Sequence, residues 1–229
     1  MSFNSYIAGL NLPFTGAQAL NGLACASTFG VFYVALPNAE LKERSEREAG
    51  KVVDAPPGQQ GVLITVAHTI GLLGPAGVFL TSLPWNGFKT PDWLLRFALP
   101  PPASPEVYYG LKTAGVIGTL GIAMGIASTV RNLGPHWHYI GVRERAKVVK
   151  SGPFRVVRHP MYALGLLINP FSMIMFWSWI PLVGAGLVAA AFAIKIPMEE
   201  KLMINNKGLG KAYRGYQKEV PWRVIPYVW

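Results

Sequence analysis

Apolar residues of this chain gather into four long runs, 17–36, 61–83, 107–130 and 161–198, and polar, proline-bearing segments separate them. A helix that crosses a bilayer needs about 20 predominantly apolar residues, so each of the first three runs predicts one span. The fourth run carries a single charge, Lys195, over its 38 residues. As one helix it would be about 57 Å long against a hydrocarbon core of about 30 Å, so it predicts a helical hairpin over 161–198. The turn is expected at Pro181, after Trp177-Ser-Trp-Ile180, because proline interrupts the helical ladder and tryptophan favours the headgroup level. The pattern predicts an all-α integral membrane protein of about five transmembrane helices. The expected division is an N-terminal membrane region of three spans, 1–130, and a second region, 131–229, that holds the hairpin and a polar tail.

Lys and Arg are absent before Ala17, number four in 38–60, two in 84–106, seven in 131–160 and six in 199–229. The richer segments fall on one side of the membrane when five spans separate an outer amino terminus from a cytosolic carboxyl terminus. Segment 38–60 opens with Glu40-Leu-Lys-Glu-Arg-Ser-Glu-Arg-Glu48, whose alternating charges predict a short solvated helix closed by Pro56-Pro57-Gly58. Segment 84–102 reads as an amphipathic strip on the opposite interface. Gly115, Gly118, Gly121 and Gly125 recur at helical spacing and predict close helix packing in lipid.

Composition agrees with the pattern: 51% of residues are hydrophobic and 14% charged, against about 25% charged in soluble domains. The net charge of +10 is carried between apolar runs, which points to orientation and anionic headgroups rather than nucleic acid. Cys25 has no partner for a disulfide. The first run lacks a basic leader and a small-residue cleavage site, so it is expected to be retained.

Candidate chemistry concentrates where the fourth run begins and ends. It begins after Ser151-Gly-Pro-Phe-Arg-Val-Val-Arg-His-Pro-Met-Tyr162, where Pro160 holds Arg158 and His159 extended at the membrane and Tyr162 starts the next helix. It ends at Glu199-Glu200-Lys201, two acids beside a leaflet that favours bases, and juxtamembrane acids are functional candidates. A hairpin returns these acids to the face that carries Arg158 and His159, and a zwitterionic cofactor suits such a pocket. His136 and His138 suggest a metal, but no third ligand lies at suitable spacing and none is expected.

Three stretches in order, Gly152-Pro-Phe-Arg-Val-Val-Arg-His-Pro-Met-Tyr162, Glu199-Glu-Lys-Leu202 and Gly210-Lys-Ala-Tyr-Arg-Gly-Tyr-Gln-Lys-Glu-Val-Pro221, with the apolar hairpin between the first two, resemble the isoprenylcysteine carboxyl methyltransferase family and its phospholipid methyltransferase relatives. The resemblance covers about the last hundred residues; the first half matches in hydropathy alone. It implies a multi-pass endoplasmic-reticulum enzyme that binds S-adenosylmethionine on the cytosolic side, in a pocket built from the 131–160 loop and the C-terminal segment. The implied acceptor is the carboxylate of a prenylated C-terminal cysteine, or a similar lipophilic acid. By the same resemblance His159, Tyr162, Glu199 and Glu200 line the cofactor pocket, and the backbone from Val149 to Gly152 closes over it. Ala163 stands where the family often has glycine. Pro197-Met198 stands where it often has arginine, so the acceptor-facing cation falls to Lys195 or Arg131. Arg158 and Arg223 are further candidates to orient the acceptor. N-methylation of an aminophospholipid, with His136, His138 or His159 as base, and a reductase-like or non-catalytic scaffold are the alternatives.

Overall fold

The structure, a computed structural model, describes residues 5–7, 10–12, 14–36, 39–138 and 140–229; part of the uncharged head before Ala17 lies outside them. Two short strands, β1 (Ser5–Ile7) and β2 (Leu10–Leu12), form an antiparallel pair ahead of α1 (Gly16–Ala35). Thr15 caps α1: Gln18 N donates to its Oγ1 at 3.3 Å, and Gln18 Oε1 accepts from the Thr15 N–H at 2.9 Å, which satisfies two end groups the helix cannot. The charged segment forms α2 (Ala39–Ala49), and β3 (Val52–Asp54) pairs antiparallel with β4 (Val142–Arg143).

The main helices are α3 (Gln60–Trp85), α5 (Pro105–Leu133), α6 (Pro160–Phe176) and α7 (Ile180–Asn205), with α4 (Asp92–Leu95) on the connection and α8 (Gly210–Glu219) in the tail. Among the described residues four stretches are long and apolar enough to cross a membrane, and they contain α1, α3, α5 and α7. The fifth expected span is α6, an apolar helix of 17 residues, about 25 Å at the usual rise.

The hairpin forms between α6 and α7, but its turn is Trp177–Trp179 rather than Pro181. Trp177 takes a left-handed conformation, φ 54°, and closes α6 by donating its N–H to Met173 O. Pro181 sits instead in the first turn of α7, where its missing N–H costs no helical bond.

The bundle packs α1 on α5, α5 on α6 and α3 on α7. The glycine stripe serves the second contact: a Cβ on Gly115 would lie 2.6 Å from Met175 Cβ, and one on Gly118 would strike the Phe171 ring, while Gly121 faces open space. At the end remote from His159, buried Lys112 donates to Asn21 Oδ1 at 2.7 Å and ties α5 to α1.

Candidate active site

A cavity of about 320 Å³ opens where α5 ends, α6 begins and α7 returns. Toward the membrane interior its wall is apolar, with Val31, Leu72, Ile126, Ile168 and Phe192; at the other end stand His138, His159, Tyr162, Lys195 and Glu199. Leu36 of the α1 end and Leu73 of α3 belong to the same wall and are 68% and 43% exposed. The cavity lining therefore includes residues that also stand on the outer surface of the bundle.

The polar end is built by a backbone splice. Arg158 N donates to Trp222 O at 2.9 Å and His159 N to Arg223 O at 2.8 Å, so the C-terminal tail lies along the turn that starts α6. Arg158 Nη1 donates to the carbonyls of Val220 and Pro221 at 2.7 and 2.6 Å, and its Nε to Glu200 Oε1 at 2.7 Å. Glu200 also faces His159 Nε2 at 3.3 Å and accepts from Tyr213 OH at 3.3 Å and Arg223 Nε at 3.0 Å. At 2% exposed, this carboxylate is matched by two guanidiniums, which is what a buried charge requires.

Glu199 has different company. Tyr162 OH donates to its Oε1, and His159 Nδ1 lies 3.8 Å from its Oε2. It faces the cavity, and no Arg or Lys forms an ion pair with it among the described residues. Lys195, one turn earlier on α7, stands 5.1 Å over the Tyr162 ring and forms no ion pair among those residues, though Glu199 lies within its field. His159, Tyr162, Phe192 and His68 then run as a ladder of rings, with successive centroids 5.6, 4.6 and 5.6 Å apart.

All four histidines of the chain, His68, His136, His138 and His159, line this cavity. The Nδ1 atoms of His68, His136 and His138 are buried without a normal hydrogen-bond partner among the described residues. Burial, then the nearby Arg143, Lys195, His136 and His159, lower the His138 pKa to about 4, so it is neutral at pH 7. Burial, and after it the Glu200 charge, raises the Tyr213 phenol above its ordinary range, so it stays a donor. Among the described residues no group of three or more His, Cys, Asp or Glu is placed to hold a metal ion.

Of the residues singled out from sequence, Arg158, His159, Tyr162, Lys195, Glu199 and Val149 lie in the cavity wall. Glu200 sits behind it against the tail. Gly152 opens a 3₁₀ turn at φ +56°, exposed and outside the wall, where a side chain would strike Asn132. Arg131 is exposed on the last turn of α5, also outside the wall. Sequence reasoning passed over His68, although it is the only titratable residue within the apolar α3, the kind of residue that marks function inside a membrane.

Fold and site together define a polytopic helical membrane protein with an acid- and histidine-lined cavity at one end of the bundle. Residues 112–207 match the family model described as phospholipid methyltransferase. Isoprenylcysteine carboxyl methyltransferases belong to that same family, so the matched region, which holds the α6–α7 hairpin and both acids, is similar to that of membrane methyltransferases. No curated protein matches the chain at a significant level.

Proposed function

We propose that the chain transfers a methyl group from S-adenosylmethionine to the carboxylate of a lipid-borne acid, a prenylated C-terminal cysteine or a similar lipophilic acid, at the cytosolic face of the endoplasmic-reticulum membrane. The observation that carries this reading is Lys195: a buried ammonium without an ion pair among the described residues, in the wall of a cavity that is apolar on its membrane side. Such a cation attracts an anion and repels the ammonium of an aminolipid.

The residues present suit the cofactor. Glu199 offers a buried carboxylate that no Arg or Lys pairs with among the described residues, and the Nδ1 atoms of His136 and His138, unpartnered among those residues, offer hydrogen bonds to amine or hydroxyl groups. When bound, S-adenosylmethionine supplies a methyl on a sulfonium sulfur, which leaves as a neutral thioether as the acceptor's oxygen takes the methyl. A carboxylate is already ionised at neutral pH, so this chain needs no general base; it needs to strip water from the acid and hold it in line. Lys195 orients the acid, and the apolar wall excludes water. Arg158, with Nε and Nη1 engaged by Glu200 and the tail, holds His159 and Glu200 in place. Entry of the acceptor past the exposed wall residues Leu36 and Leu73 would let its hydrocarbon chain stay in lipid, which preserves about 0.8 kcal/mol for every methylene kept out of water.

A second reading, N-methylation of an aminophospholipid, draws on the four cavity histidines, since an amine must lose a proton before it attacks. Membranes bearing the chain, given radiolabelled S-adenosylmethionine with N-acetyl-farnesylcysteine and phosphatidylethanolamine side by side, separate the two. Base-labile label on the prenylcysteine is expected. Label on the phospholipid would establish the second reading, and label on neither would favour a reductase-like scaffold or another acceptor.

A further inference from the structure

We infer that His68 is an acceptor-binding residue that holds the acid's carboxylate jointly with Lys195; the inference rests on the carboxylate reading above. His68 comes from α3, outside the matched region 112–207, so nothing in the family match points to it. Its half-buried ring belongs to the cavity wall and lies 5.6 Å from the Phe192 ring. Its Nδ1 is buried; the Ile64 carbonyl one turn back is near but makes no hydrogen bond of normal geometry with it.

Lys195 approaches from α7, the helix packed on α3, and its charge acts on His68. The imidazole and the ammonium therefore face one space from two helices. An imidazole in either charge state donates at least one N–H, and an ammonium donates three. A carboxylate presents two oxygens, so one donor to each oxygen is a two-point hold that fixes its plane as well as its position. An aminolipid headgroup would bring a cation against Lys195 and leave the His68 donor unused, and such a mismatch rejects a ligand as effectively as a match selects one. The ring ladder from His68 to His159 then joins the acceptor's end of the cavity to the Glu199 end.

The test compares wild type, His68→Leu and His68→Gln as purified full chains in lipid nanodiscs. Two readouts are taken: kinetics of methyl transfer to N-acetyl-farnesylcysteine, and the thermal shift produced by S-adenosylhomocysteine. His68→Leu is expected to raise the KM for the acid about tenfold or more, the effect of one lost hydrogen bond to a charged group. Its thermal shift with S-adenosylhomocysteine should match wild type, which also shows that the variant is folded. His68→Gln, whose amide retains an N–H donor, should recover most of the loss. An unchanged KM in His68→Leu, or a lost thermal shift in a variant that is still folded by its unfolding transition, would overturn the inference, the second by assigning the imidazole to the cofactor. The wild-type arm judges the parent reading separately: no transfer to the acid, or transfer to phosphatidylethanolamine instead, would sink the carboxylate reading and the inference with it.

Discussion

Glu199 and Glu200 are adjacent, yet one faces the cavity and the other the C-terminal tail, because successive helical residues point about 100° apart. Their partners follow from that rotation: a tyrosine and a histidine for the first, and Arg158, Arg223, His159 and Tyr213 for the second. The same wall makes a pH prediction at His138. Its pKa of about 4 lies below the ordinary 6.5, so between those values the unfolded chain binds a proton that the folded chain does not. Stability from this group is complete above about pH 6.5 and is lost as pH falls toward 4. Thermal unfolding in detergent should therefore occur at lower temperature at pH 5.0 than at pH 7.5, and His138→Gln should narrow that difference. An equal difference in the variant would contradict the assignment. The acids, His159 and Tyr162 were legible as candidates because they cluster at the two ends of one apolar run. His68 was not, since its relation to Lys195 exists only once α3 packs on α7.

At the scale of elements, the period and length of the apolar runs announced the main helices, because burial in lipid demands length and little else. The hairpin turn was misplaced by a few residues: sequence marks Pro181 as a breaker, but a proline in a helix's first turn is well tolerated, and Trp177 makes the bend in a left-handed conformation that its sequence context does not signal. The β3–β4 pair was invisible for a related reason: Val52–Asp54 and Val142–Arg143 are short and distant in sequence. The α5–α6 contact was readable from its glycines and makes a further prediction. Gly115→Val would push a side chain against Met175, and overpacking of this kind costs about 1–3 kcal/mol. Gly121→Ala, on the open side of the same helix, should leave the unfolding temperature unchanged. Equal behaviour of the two variants would show that the stripe does not set the packing.

Across the whole molecule, the site exists only as an assembly: α3 and the end of α1 furnish the lipid-side wall, α6 and α7 the acids and rings, and the tail holds the turn at Arg158 and His159 through paired backbone bonds. Lys112 and Asn21 fasten the opposite end of the bundle, so a buried charge there has a structural partner rather than a cavity. The most direct measurement of the central claim is S-adenosylhomocysteine binding to the full chain in nanodiscs, comparing wild type with Glu199→Ala and with Glu106→Gln, whose exposed carboxylate stands in the first turn of α5, outside the cavity wall. Wild type and Glu106→Gln should bind alike, and Glu199→Ala should bind about tenfold or more weakly, as expected when a charged hydrogen-bond partner is removed. Undiminished binding by Glu199→Ala, or no binding by wild type, would contradict the account.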